Sequence, residues 1–170
     1  MNILKIATEW AKDELVSTSF FIVVGIAFAM ASFGFWQFGK TDLARAYIIP
    51  ILIAGAFLMM VGFGLFFTNK ARITQFEKAY QADAPAFVTS ELTRVEATLK
   101  EYKNIVFTAI PILIVVCAGI IFFVDKPVWR ASAISFIAMV SVILLIDGMA
   151  HGRIDTYNQH LLQAQEELKK

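Results

Sequence analysis

The stretch ITQFEKAYQADAPAFVTSELTRVEATLKEY, Ile73 to Tyr102, decides how the chain is read. Its apolar residues are few but regular. Ile73, Phe76 and Tyr80 lie three and four residues apart, and Val88, Leu92, Val95, Leu99 and Tyr102 continue the alternation. That spacing makes a narrow seam on each of two helices. Asp83-Ala84-Pro85 supplies the reversal between them, an acceptor side chain for a cap followed by a proline for the first turn. Taken as residues 68–104, the segment carries six Lys/Arg and five Asp/Glu, with long apolar runs on both sides. The expected plan is a water-exposed helical hairpin between two membrane hairpins.

Composition points the same way. Of 170 residues, 58% are hydrophobic and only 17% charged, against roughly 45–50% apolar in a soluble domain. A soluble core of this size cannot hide so many Phe, Ile, Val and Leu side chains, whereas lipid solvates them. The net charge of +1 gives no reason to expect nucleic acid as a partner. The single cysteine, Cys117, lies in an apolar run, which excludes an intrachain disulfide and reads as a small core or lipid-facing residue. Ala29-Met30-Ala31 resembles a cleavage site, but Glu9, Asp13 and Glu14 make the preceding segment acidic and the apolar run continues past it. No signal peptide is expected.

Outward from the central hairpin, the sequence divides into all-α elements. Residues 1–14 form a lead-in helix with Ile3, Ile6 and Trp10 on one side, and the spans are 15–38, 43–67, 105–124 and 128–149. Each is long enough for a ~30 Å hydrocarbon layer. Gly25, Ala27, Ala29, Ala31, Ser32 and Gly34 form a small-residue face on the first span, and Gly55, Gly62 and Gly64 one on the second, permitting close helix contact. Pro50 is expected to bend the second span modestly, and Pro111 to kink the third. The turns are 39–42, where Thr41 or Asp42 can cap the next helix, and 125–127. In the tail, 150–170, Ile154, Tyr157, Leu161, Ala164 and Leu168 repeat the three-four seam. The tail, the central hairpin and the lead-in are therefore expected to bundle as a cytosolic four-helix extension.

Eleven of the fifteen Lys/Arg lie with the termini and the central hairpin, and four with the short turns. The positive-inside rule then puts both termini in the cytoplasm, in what reads as a bacterial inner membrane. Short matches between the halves hint at a parallel duplication. Arg45-Ala46 corresponds to Arg130-Ala131, and Arg72-Ile73-Thr74-Gln75-Phe76 to Arg153-Ile154-Asp155-Thr156-Tyr157.

Chemistry is sparse. Asp147 is the ionisable residue expected within a span, and Asp147, His151 and Asp155 repeat every four residues near the level at which Glu14 enters the membrane. With a neighbouring helix these four are candidate metal ligands, or Asp147 and His151 a proton relay. The alternative is that Asp147 reaches headgroup water, Arg153 or the lead-in helix. His160 is expected to be solvated. No phosphate loop, His-Glu-x-x-His, Gly-x-Ser-x-Gly or Cys-x-x-Cys occurs, so neither catalysis nor a cofactor is expected. The reading is a non-catalytic membrane protein with a protein partner or self-association, an accessory, scaffold or immunity-type binder. A homo-oligomeric channel is the alternative, and a carrier using Asp147 and His151 the third.

Overall fold

The computed structural model describes residues 2–168. Those residues are helical apart from short connections, with no strand among them. Helix α1, Ile3–Phe38, starts where Asn2 Oδ1 accepts from the Lys5 amide at 3.1 Å and stops at Gly39. Thr41, rather than Asp42, caps α2, Asp42–Ala46, by accepting from the Ala44 amide at 3.1 Å. Helix α3 is Ile48–Ala82. Asp83 ends it and caps α4, Ala84–Glu101, and Phe87 returns against Phe76 and Tyr80 at ring distances of 5.5 and 5.7 Å. A π-helical segment, Tyr102–Ala109, leads into α5, Ile110–Phe123. Helix α6 is Pro127–Leu168.

Both prolines leave a local mark on the helix that precedes them. At Pro50, whose ring crowds the carbonyl four residues earlier, the hydrogen-bond ladder loosens at the single residue Tyr47, which keeps a helical backbone (φ −79°, ψ −18°) between α2 and α3. Before Pro111 the turns widen. The Ile110 amide donates to the Ile105 carbonyl, and Thr108 Oγ1 donates to the Lys103 carbonyl at 2.7 Å. One extra residue per turn carries the Phe107 carbonyl clear of a ring that also offers it no N–H.

Four continuous helical stretches, Ile3–Phe38, Asp42–Ala82, Ala84–Phe123 and Pro127–Leu168, are long and apolar enough to cross a membrane. They run 36, 41, 40 and 42 residues, or roughly 54–63 Å at 1.5 Å per residue, about twice a hydrocarbon layer. Each therefore has an apolar half and a polar half. At the polar ends the seams meet in one core: Ile3, Ala7, Trp10 and Ala11 of α1, Phe76 of α3, Val88, Leu92 and Val95 of α4, and Ile154, Tyr157 and Leu161 of α6. The apolar halves share a second core of Phe21, Ala54, Leu58, Ile110, Met139 and Val140.

The small-residue faces are only partly used. A Cβ on Gly25 would lie 2.8 Å from the Gly55 carbonyl oxygen, and one on Gly62 would meet Phe21 Cβ at 2.9 Å, so α1 and α3 touch nearly backbone to backbone. Ser32 Oγ ties the pair further by donating to the Ile48 carbonyl at 2.7 Å. Gly34 and Gly64 face open space instead. Among the described residues the α5 backbone comes close only to α6, apart from its own π-helical lead, and Ile110, which joins the core shared with Phe21 and Leu58, is its one buried residue.

Candidate functional site

Where the two cores meet, the four long stretches enclose a polar cavity of about 230 Å³. Helix α1 contributes Trp10, Glu14, Ser17 and Thr18, and α3 contributes Asn69 and Arg72. From α4 and its π-helical continuation come Arg94, Thr98, Glu101 and Tyr102, and from α6 Asp147, Ala150 and Ile154. These polar groups occur here because each helix changes from lipid-like to water-like composition at this level.

Two ion pairs bound the cavity. Arg153 donates to Glu14 Oε1 from Nε at 3.1 Å and from Nη2 at 3.0 Å, and Nη2 also donates to Ser17 Oγ at 2.6 Å. Arg94 grips Glu91 through both carboxylate oxygens, at 2.9 and 2.6 Å, and the buried Tyr157 hydroxyl donates to the same carboxylate at 3.0 Å. Burial pushes the Tyr157 phenol up from its ordinary value, and the Glu91 charge adds to this. Tyr157 also stacks on Trp10, with ring centroids 5.2 Å apart. Trp10 in turn has the Arg94 guanidinium 4.8 Å and the Arg72 guanidinium 5.8 Å from its ring centroid. Such stacking suits a weakly hydrated planar cation.

Arg72 is the exception among these groups. Its hydrogen-bond acceptor is the neutral Asn69 Oδ1, at 2.7 Å, and it forms no ion pair among the described residues. Burial and then the neighbouring Arg94 charge hold its pKa below the ordinary guanidinium value. The Tyr102 phenol is pushed up, by burial first and then by the Asp147 and Glu14 charges.

The four residues singled out from sequence separate. Asp147 and Glu14 line the same cavity. His151 turns toward Tyr102 and Phe107, at ring distances of 5.6 and 5.1 Å, and Asp155 accepts weakly from Gln159 at 3.5 Å. Helical geometry explains the divergence. Each step of four residues overshoots a full turn by ~40°, so Asp155 is rotated ~80° from Asp147. No group of three or more His, Cys, Asp or Glu placed to hold a metal ion occurs among the described residues. His160, expected in solvent, is half-buried with Nδ1 enclosed and unpartnered.

Sequence reasoning missed Arg72, Arg94, Asn69 and Trp10 as site residues. One signal was present, since Asn69 and Arg72 fall one turn apart where α3 leaves its apolar run. No family model, curated protein or solved structure matches this chain. Its function is therefore argued from its own chemistry.

Proposed function

We propose that the chain is a non-catalytic integral membrane protein that works through helix–helix contacts. It would be an accessory or scaffold subunit, or an immunity-type binder of a membrane partner. In this reading two hairpins cross the bilayer with their apolar halves. The polar ends and both termini then bundle in the cytoplasm of a bacterial inner membrane.

The observation that carries this reading is the bare surface of α5. Beyond Ile110 its backbone comes close only to α6 among the described residues, and side chains such as Val115 and Phe122 are 71% and 79% exposed. A helix that contributes so little to its own bundle offers an apolar cylinder to another protein. The test is photo-crosslinking in native membranes from a reactive residue placed at Val115. A discrete adduct absent from the same probe at the polar-end residue Thr93 is expected, and lipid adducts alone would overturn the reading. Ion flux in liposomes separates the channel alternative. The protomer interior is filled by Phe21, Leu58, Ile110, Met139 and Val140, so conduction would require a ring of copies and would overturn a contact role.

The halves are proposed to be a parallel repeat, and burial supports this more strongly than sequence identity. At one constant separation, buried Ile3, Ala7, Trp10, Phe21 and Gly25 correspond to buried Val88, Leu92, Val95, Val106 and Ile110. The same separation relates Arg45 to Arg130. Each Arg donates from Nε to the carbonyl where the preceding helix ends, Gly39 at 3.2 Å and Val124 at 3.0 Å. Beyond Tyr47 the separation shortens by one helical turn. It then relates Ala54, Leu58, Asn69 and Phe76 to Ser135, Met139, Ala150 and Tyr157, all buried.

A further inference from the structure

We infer that the cavity at the junction of the two cores is a binding site for a phosphoryl oxyanion, held between Arg72 and Arg94. Two features point to an anion, and a third limits where it can sit. The first is charge. Arg153 on α6 is satisfied by Glu14, but Arg72, its counterpart under the proposed repeat, holds no carboxylate in an ion pair among the described residues and feels Glu91 and Glu14 only at longer range. The position related to Glu14 is Leu99. A half-buried guanidinium beside a second one is costly unless an anion is shared between them.

The second feature is an inventory of unused donors. Trp10 is 7% exposed, lines the cavity, and its Nε1–H has no acceptor. Arg72 commits one nitrogen to Asn69 Oδ1, and the rest of its planar fork is free. Buried donors are rarely left unsatisfied, and an oxyanion can accept from several at once. The third is polarity along the cavity. Asp147 lies beside Ile146 of the apolar core, Glu101 lines the wall one turn from Thr98, and Glu14 is already paired with Arg153. An anion is repelled by Asp147 and Glu101 and settles against the arginines, Trp10 and Asn69.

The same chemistry is offered by a phospholipid headgroup reaching in at the junction or by a soluble phosphate. The whole chain, purified in a maltoside detergent free of phosphate, distinguishes them when inorganic phosphate and short-chain phosphatidylglycerol are titrated separately against its melting temperature. At least one probe is expected to raise the wild-type melting point saturably. A response to inorganic phosphate identifies a soluble ligand, and a response to the lipid alone identifies a headgroup. The half-saturating concentration should rise at least tenfold in R72Q. In T98E, where a resident carboxylate occupies the arginine end, it should rise by a similar factor, while K100Q, an exposed cation on α4, should match wild type. A wild-type protein unmoved by both probes overturns the inference, as does an R72Q or K100Q response that breaks this pattern. Should R72Q and T98E fail to fold, equilibrium dialysis of phosphate and of the lipid against wild type decides. Saturable one-to-one binding of either supports the site, and its absence for both removes it.

Discussion

Helices α1 and α3 touch almost backbone to backbone, whereas α5 and α6, their counterparts in the proposed repeat, stand further apart. The difference follows from three positions. Gly25, Gly55 and Gly62 in the first pair correspond to Ile110, Phe136 and Ile143 in the second, so glycines that permit contact are replaced by side chains that fill it. In the proposed membrane setting there is no hydrophobic drive to close such a gap, and association depends on van der Waals fit and hydrogen bonds. The first pair has both, with Ser32 donating across to Ile48. The second packs through larger side chains and leaves α5 exposed. The first pair is thus closely packed, and the second leaves apolar surface exposed.

A second asymmetry runs across the polar ends, and it predicts the largest effect. Glu14 and Arg153 link the two halves, and no ion pair among the described residues does the same for Arg72. Arg153→Met leaves Glu14 buried beside Ser17 without its cation and should cost about 3–5 kcal/mol, read as lost thermal stability in detergent. Arg72→Met removes only stacking on Trp10 and a neutral hydrogen bond, and should stay within ~1 kcal/mol. Adding Glu14→Gln to Arg153→Met should recover most of the loss. Equal costs at 72 and 153 would erase the asymmetry.

Next in size is a substitution that makes the first pair resemble the second. Gly25→Ile places Cβ within 2.9 Å of both the Gly55 carbonyl oxygen and the Met59 amide nitrogen, so the backbones must part. A cost of about 1–3 kcal/mol is expected from overpacking. Gly34→Ala, with nothing within 4 Å of the new methyl, should be neutral or slightly stabilising. If the two substitutions behave alike, glycine contact is not what distinguishes the pairs.

How much of this the sequence disclosed depends on whether a feature is periodic within one helix or relational between several. Seams such as Val88-Leu92-Val95 and Ile154-Tyr157-Leu161 were legible because burial follows the 3.6-residue period. The level shared by Glu14 and Asp147 was legible because both sit at a change of composition. The grip of Arg94 on Glu91 and Tyr157 was not, since it requires knowing which faces of α4 and α6 meet. His151 and Asp155 misled for a geometric reason, as a spacing of four drifts around the helix. Pro50 and Pro111 announced a disturbance, but whether it becomes one loosened residue or a run of wide turns depends on the carbonyl each ring displaces.

A smaller effect isolates the tyrosine that joins the halves at the polar end. Tyr157→Phe keeps the stacking on Trp10 and deletes the hydrogen bond to Glu91, for a cost of about 1.5–3 kcal/mol if the carboxylate stays dry and less if water replaces the hydroxyl. Phe76 occupies the related position on α3 and has no hydroxyl, so the variant makes the two halves alike there. A double-mutant cycle with Glu91→Gln measures the coupling, which should vanish for any Phe76 variant combined with Glu91→Gln.

The smallest effect concerns protons. Burial penalises the charged form of Glu14 more than Arg153 favours it, so its carboxyl titrates above the ordinary 4.5. The folded chain then holds that proton more tightly than the unfolded chain does. The resulting stability is fully present below the unfolded value and is lost as pH rises through the folded one. Wild type should therefore melt lower at about pH 7.5 than at about pH 4.5, relative to Glu14→Gln measured alongside. In Arg153→Met the difference should widen, because the unpaired carboxyl then resists ionisation more strongly. An opposite slope would mean that Arg153 outweighs burial and that the link between the halves is a strong ion pair rather than a weakly charged one.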